Sequence, residues 1–93
     1  LHAAVTRRRA DGSPSADGWY PEQKLSMADA FAGYTLGAAY AAYMEDRLGR
    51  LAPNYLADLI VLEKDPFTCN PNELLTLESS ATMIGGEWVY MPF

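Results

Sequence analysis

Residues 51–62 read LAPNYLADLIVL: a turn, an acidic residue and an unbroken apolar run. Pro53–Asn54 fits the central pair of a type II turn, because proline presets φ and asparagine tolerates positive φ at the next position. The branched apolar run at 59–62 has the length of a strand and predicts one buried on both faces. Asp58 stands just ahead of that strand and reads in two ways. A catalytic carboxylate there needs a substrate pocket and a second titrating partner. A structural one needs only a turn whose backbone N–H groups its side chain can accept.

Toward the C-terminus, "KDPFTCNPNE" (64–73) has loop composition, with Pro66 and Pro71 as breakers. "LLTLESSATMI" (74–84) is mixed, and a strand is expected over 82–84. "GGEWVYM" (85–91) supplies a Gly85–Gly86 two-residue turn and a returning strand, a hairpin signal.

Toward the N-terminus the period is helical. Ser26 suits an N-cap, with Asp29 three residues later as its capping-box partner. Met27, Ala30, Phe31 and Tyr34 continue one face. Gly33 and Thr35 interrupt it, and Thr35 is expected to cap a second helix from Leu36 through Ala42 or beyond, stopped by Gly49. The small residues of "GAAYAAYM" (37–44) allow close approach of a neighbour, with Tyr40 and Tyr43 filling the gaps. Before this lies "ADGSPSADGWYP" (10–21), a loop holding two large rings, Trp19 and Tyr20. "LHAAVTRRR" (1–9) reads as the tail of a helix already under way, with cations at its C-terminal end. The sequence is therefore expected to be cut from something longer. Helices first and strands after give an α+β class.

The chain has 93 residues, a formal net charge of −5 and 49% hydrophobic residues. Its size is that of one small domain or part of a larger one, and a chain this short buries only roughly 60–65% of its surface. The acidic balance argues against nucleic acid as a partner. No apolar run approaches the ~20 residues of a membrane span, and no signal-peptide layout is present. One cysteine, Cys69, rules out an internal disulfide and a multi-thiolate metal site. A free thiol in the reducing cytoplasm is expected.

Taken together, "LSMADAFAGYTLGAAYAAYMEDRLGRLAPNYLADLIVLEKDPF" (25–67), the closing "TMIGGEWVY" (82–90) and "AAVTRRR…DGWYPEQKLS" resemble the C-terminal signature of the metal-dependent amidohydrolase superfamily. The likeness is to the amidohydrolase family 3 branch, the YtcJ-like hydrolases that include N-substituted formamide deformylases. It runs through the helix at 27–42, Gly49–Arg50–Leu51, Pro53, Ala57–Asp58–Leu59 and the final hairpin. Asn54 stands where the family commonly has Gly. The resemblance implies a (β/α)8 barrel with one or two divalent metals, usually zinc, at its C-terminal end. There a metal-activated water attacks an amide or formamide carbonyl while an Asp shuttles the proton. The implied ligands are a His-x-His pair, a Lys or other bridging group, two further His and an Asp ending the last strand. Here the one histidine is His2. Residues 1–47 are then expected to be the end of the barrel. Residues 48–93 are expected to be the C-terminal half of a composite β-sandwich built from both ends of the family's chain.

On this reading no residue of the chain is catalytic, cofactor-binding or metal-binding. His2 alone lacks the roughly four ligands of a zinc site and is expected at the surface. Glu45–Asp46–Arg47 is a solvated helix end. Ser13 and Ser15 have no His–acid pair, and Gly85–Gly86 is no phosphate loop, since no helix follows. Trp19–Tyr20 is left open between a substrate-facing wall and packing. The expected partners are the rest of the parent enzyme or a second copy. The alternative is a free-standing module that self-associates through exposed sheet edges.

Overall fold

The computed structural model describes residues 1–92. The chain is α+β, with short helices and one three-stranded antiparallel sheet. It divides into two compact units interleaved in sequence, Leu1–Phe31 with Lys64–Leu77, and Ala32–Glu63 with Glu78–Phe93. The boundary expected at 47/48 is a different division, drawn by likeness to a larger fold.

In the first unit, α1 (His2–Thr6) ends at Arg7 in the left-handed region (φ 58°), whose N–H donates to the Ala3 carbonyl. The helix packs against a 3₁₀ turn, Pro71–Leu75. The sequence reading leaves that turn as loop, although Asn70–Pro71 carries its signal: the Asn70 side chain accepts the Asn72 N–H, and Pro71 sits in the first turn. Helix α2 (Met27–Ala32) starts as expected, with Ser26 Oγ accepting the Asp29 N–H at 3.1 Å. Phe31 stacks on Phe67, ring centroids 4.9 Å apart.

In the second unit the helix continues without a break or new cap. Gly33–Gly37 forms a π turn between backbones that stay right-handed at Ala32 and Gly37, and α3 (Ala38–Ala41) follows. Thr35 therefore lies inside a continuing helix and does not start a second one: the helix absorbs an extra residue there instead of ending. The stop also differs from expectation. Tyr43 adopts φ 59°, its N–H donates to the Tyr40 carbonyl and the Met44 N–H to the Ala39 carbonyl. That is a Schellman termination with tyrosine in the position glycine usually fills. Tyr43 is 91% exposed and Tyr40 is exposed too, so neither fills a gap. Gly49 instead brings a loop against the helix. It has φ +94°, and a β-carbon there would lie 2.9 Å from the Thr35 carbonyl oxygen and 3.1 Å from Ala39 Cβ.

The turn at 52–55 forms as read, with Asn54 at φ 72° and the Tyr55 N–H donating to the Ala52 carbonyl. Strand β1 (Leu59–Leu62) pairs with β2 (Ser79–Ile84), and β2 with β3 (Glu87–Tyr90), in spatial order β1-β2-β3. The registers run Ile60 opposite Thr82 and Val61 opposite Ala81, with Ile84 opposite Glu87 across the hairpin. Gly85 and Gly86 both have positive φ, as a two-residue hairpin turn requires. The expected burial of β1 on both faces does not occur: Ile60 is 55% and Val61 40% exposed. Ile84, Trp88, Val89, Tyr90 and Met91 are exposed as well. Three small strands cannot bury their own faces, and the buried apolar residues among those described are three alanines, Ala30, Ala39 and Ala81.

Candidate functional site

Asp58 is exposed, and its position is set by the turn before it and the strand after it. Its Oδ1 accepts the backbone N–H of Gly85 at 2.8 Å, across 27 residues of sequence. Beside it the Ala57 carbonyl accepts the Gly86 N–H at 3.0 Å. The two acceptors ahead of β1 thus hold both amides of the hairpin turn. The carboxylate thus accepts one backbone N–H of the hairpin turn, a long-range structural use of its oxygen.

His2 departs from its expected surface position. It is 8% exposed, because α1 lies against the Pro71–Leu75 turn, and its buried Nε2 has no hydrogen-bond partner among the described residues. No three His, Cys, Asp or Glu side chains among the described residues come together as a metal site. Glu45, Asp46 and Arg47 are exposed, although in a loop instead of on a helix end. Their backbone does the binding: the Glu45 carbonyl accepts the Tyr55 hydroxyl and the Arg47 carbonyl accepts the Leu56 N–H. The Cys69 thiol is half-buried and points at the Pro66 carbonyl, 4.0 Å away. No helix among the described residues is long and apolar enough to cross a membrane.

Around Trp19 the first unit forms a cleft of about 420 Å³, lined by Ala3, Arg7, Arg8, Arg9, Pro14 and Trp19, with Ser13 at its wall. Arg7 and Trp19 clasp one another. The Trp19 N–H donates to the Arg7 carbonyl at 2.8 Å, and Arg7 Nε donates to the Trp19 carbonyl at 2.9 Å. The Arg7 guanidinium stands 5.2 Å from the centre of the Trp19 ring, a cation–π distance. Tyr20 meets the same indole edge-on at 4.8 Å. Gly18 makes this possible: it has φ +88°, and a β-carbon there would collide with the Thr6 carbonyl. Asp11 Oδ1 accepts the Ser13 N–H at 2.9 Å, which holds its carboxyl below the usual range. The arginine run reads from sequence as a short basic stretch; what the sequence conceals is that the loop folds Trp19 back onto it.

The sequence model of the amidohydrolase family matches residues 1–90. The chain is 34% identical to the putative amidohydrolase YtcJ of Bacillus subtilis over 97% of its own length and 17% of that protein. It is 32% identical to the protein LONG AFTER FAR-RED 3 of Arabidopsis thaliana, over 77% of this chain and 12% of the relative. It is 29% identical to an N-substituted formamide deformylase of Arthrobacter pascens, over 92% of this chain and 15% of the relative. The chain thus spans less than a fifth of the length of these relatives. No solved structure matches it. With the helix, the Pro–Asn turn, the Asp58-tied hairpin and the arginine run all inside the matched span, the chain belongs to the amidohydrolase family.

Proposed function

We propose that the chain is the C-terminal part of a hydrolase acting on non-peptide carbon–nitrogen bonds, an amide or formamide, and that this part serves as scaffold. The observation that carries this is the family match over residues 1–90 within so small a share of each relative. On this reading residues 1–47 finish a (β/α)8 barrel and residues 48–93 form half of a composite β-sandwich. The uncovered apolar residues of β1, β2 and β3 support it, since faces of that kind call for further strands. The rest of the parent enzyme is the covering partner. A reducing, cytoplasmic setting agrees with the free thiol of Cys69.

The residues present do not fit the family's divalent metal, for among the described residues no three ligands converge. In the whole protein the metal would draw its ligands from outside residues 1–92, and no step of the reaction is assigned to this chain. Asp58 holds the hairpin turn and has no part in hydrolysis.

The test is hydrolysis of an N-substituted formamide by the purified chain with added zinc. No turnover is expected alone, and turnover is expected when the chain is joined in frame to the coding sequence upstream of Leu1. Hydrolysis by the isolated chain that His2→Ala or Asp58→Ala abolished would overturn the scaffold reading. Upstream sequence without a barrel bearing His-x-His would overturn the parent assignment.

A further inference from the structure

Three of the chain's seven basic residues line the cleft beside Trp19, in a protein whose net charge is −5. Among the described residues no carboxylate lies within ion-pairing distance of any of the three; the ion pair found is Lys64–Glu73, elsewhere in the unit. Asp11, the acid nearest in sequence, is not part of the lining and is engaged by the Ser13 amide. Clustered guanidinium groups without an internal counterion form a positive concavity, and it attracts a negative group.

The rest of the lining narrows the class. Trp19, Pro14 and Ala3 give one apolar wall, and Arg7 is already committed to the Trp19 ring and carbonyl. Arg8 and Arg9 remain as donors, and a guanidinium fork matches a carboxylate in bidentate fashion. A volume of about 420 Å³ suits a small molecule and not a polymer. The overall acidic charge also disfavours a polyanion. We infer that this cleft binds a small organic carboxylate with a flat apolar body, its oxyanion on Arg8 and Arg9 and its body against Trp19 and Pro14. The inference does not rest on the hydrolase reading, since every residue it uses belongs to this chain.

The chain has two tryptophans, Trp19 in the cleft and Trp88 on β3 of the other unit and outside the cleft lining, so their indole N–H resonances give a reporter for the site and an internal reference. Titration with benzoate is expected to shift the Trp19 resonance saturably while Trp88 stays in place. Benzamide, neutral and of the same shape, is expected to bind at least about tenfold more weakly, as is inorganic phosphate, which lacks the apolar body. Arg8→Gln with Arg9→Gln is expected to weaken benzoate by about tenfold or more, and added salt to weaken it in the wild type. Equal binding of benzoate and benzamide in the wild type, a comparison that needs no variant, overturns the role of charge. Phosphate binding as tightly as benzoate overturns the carboxylate class, and an unmoved Trp19 resonance overturns the site.

Discussion

The two units solve the problem of a very small core in opposite ways. In the first unit, order comes from polar bonds in loops: the reciprocal Arg7–Trp19 pair, one bond backbone to backbone and one from the Arg7 side chain, the Asx-type turns of Asp11, Asp65 and Asn70, and a glycine that permits close approach. In the sheet unit, order comes from the strand ladders and the Asp58 tie, while large apolar side chains remain exposed on the strands. The first arrangement keeps its cations available within a cleft. The second keeps apolar surface available for covering. A chain can therefore hold a definite backbone with a core of alanines, provided its turns are fixed by specific acceptors.

The sharpest way to break that contrast is Gly18→Ala. The new methyl collides with the Thr6 carbonyl at a backbone angle alanine avoids, so a loss on the order of 3 kcal/mol is expected in denaturant unfolding. An unchanged midpoint would show that the Trp19 loop does not need its close approach. Next comes Asp58→Ala, which leaves the Gly85 amide without its acceptor. About 1 kcal/mol should be lost and Gly85 amide exchange should quicken, with Asp58→Asn restoring most of both. If Asp58→Ala left that exchange unaltered, the tie between β1 and the hairpin would carry no weight.

Tyr43→Gly should move stability the other way, by roughly 0.5–1 kcal/mol, because glycine occupies the left-handed position without the penalty tyrosine pays there. A thermal melt decides it; a lower midpoint would mean that the ring contributes more than its exposure suggests. The smallest effect concerns Asp11. Its folded pKa is depressed, so the stabilisation it gives its loop is present above the unfolded value of about 3.9 and is lost as pH falls through the folded value. The Ser13 amide proton should titrate with a midpoint below about 3.9. A midpoint at or above that would remove the Asp11–Ser13 bond as the cause.

Local chemistry made much of this legible in the sequence. Ser26 reads as a cap, Pro53–Asn54 as a type II turn, Gly85–Gly86 as a hairpin, and the structure forms all three. These are short-range choices dictated by which residues tolerate which dihedrals. The misreadings share a cause in tertiary context. Glycine at 33 and threonine at 35 lower helix propensity, yet a π turn absorbs them. Gly49 looks like a stop signal, and its real use, close approach to Ala39, depends on a loop path no local pattern encodes. His2 looks exposed at a terminus, but α1 is covered by a turn that lies far along the chain. Likewise the Arg7–Trp19 clasp joins residues whose spacing has no periodic signature.

The placement of β1 also governs the order in which the molecule can be completed during synthesis. Its ladder partner is β2, which begins at Ser79, and the amides that Ala57 and Asp58 hold belong to the turn after β2. Within this chain β1 is therefore made before the strand it pairs with, and its ladder forms only once residues 79–84 follow. Pairing of β2 with β3 across a two-residue turn is quick by comparison, about 1–10 μs for a hairpin. Within this sheet the local hairpin of β2 and β3 offers the edge to which the sequence-distant β1 pairs.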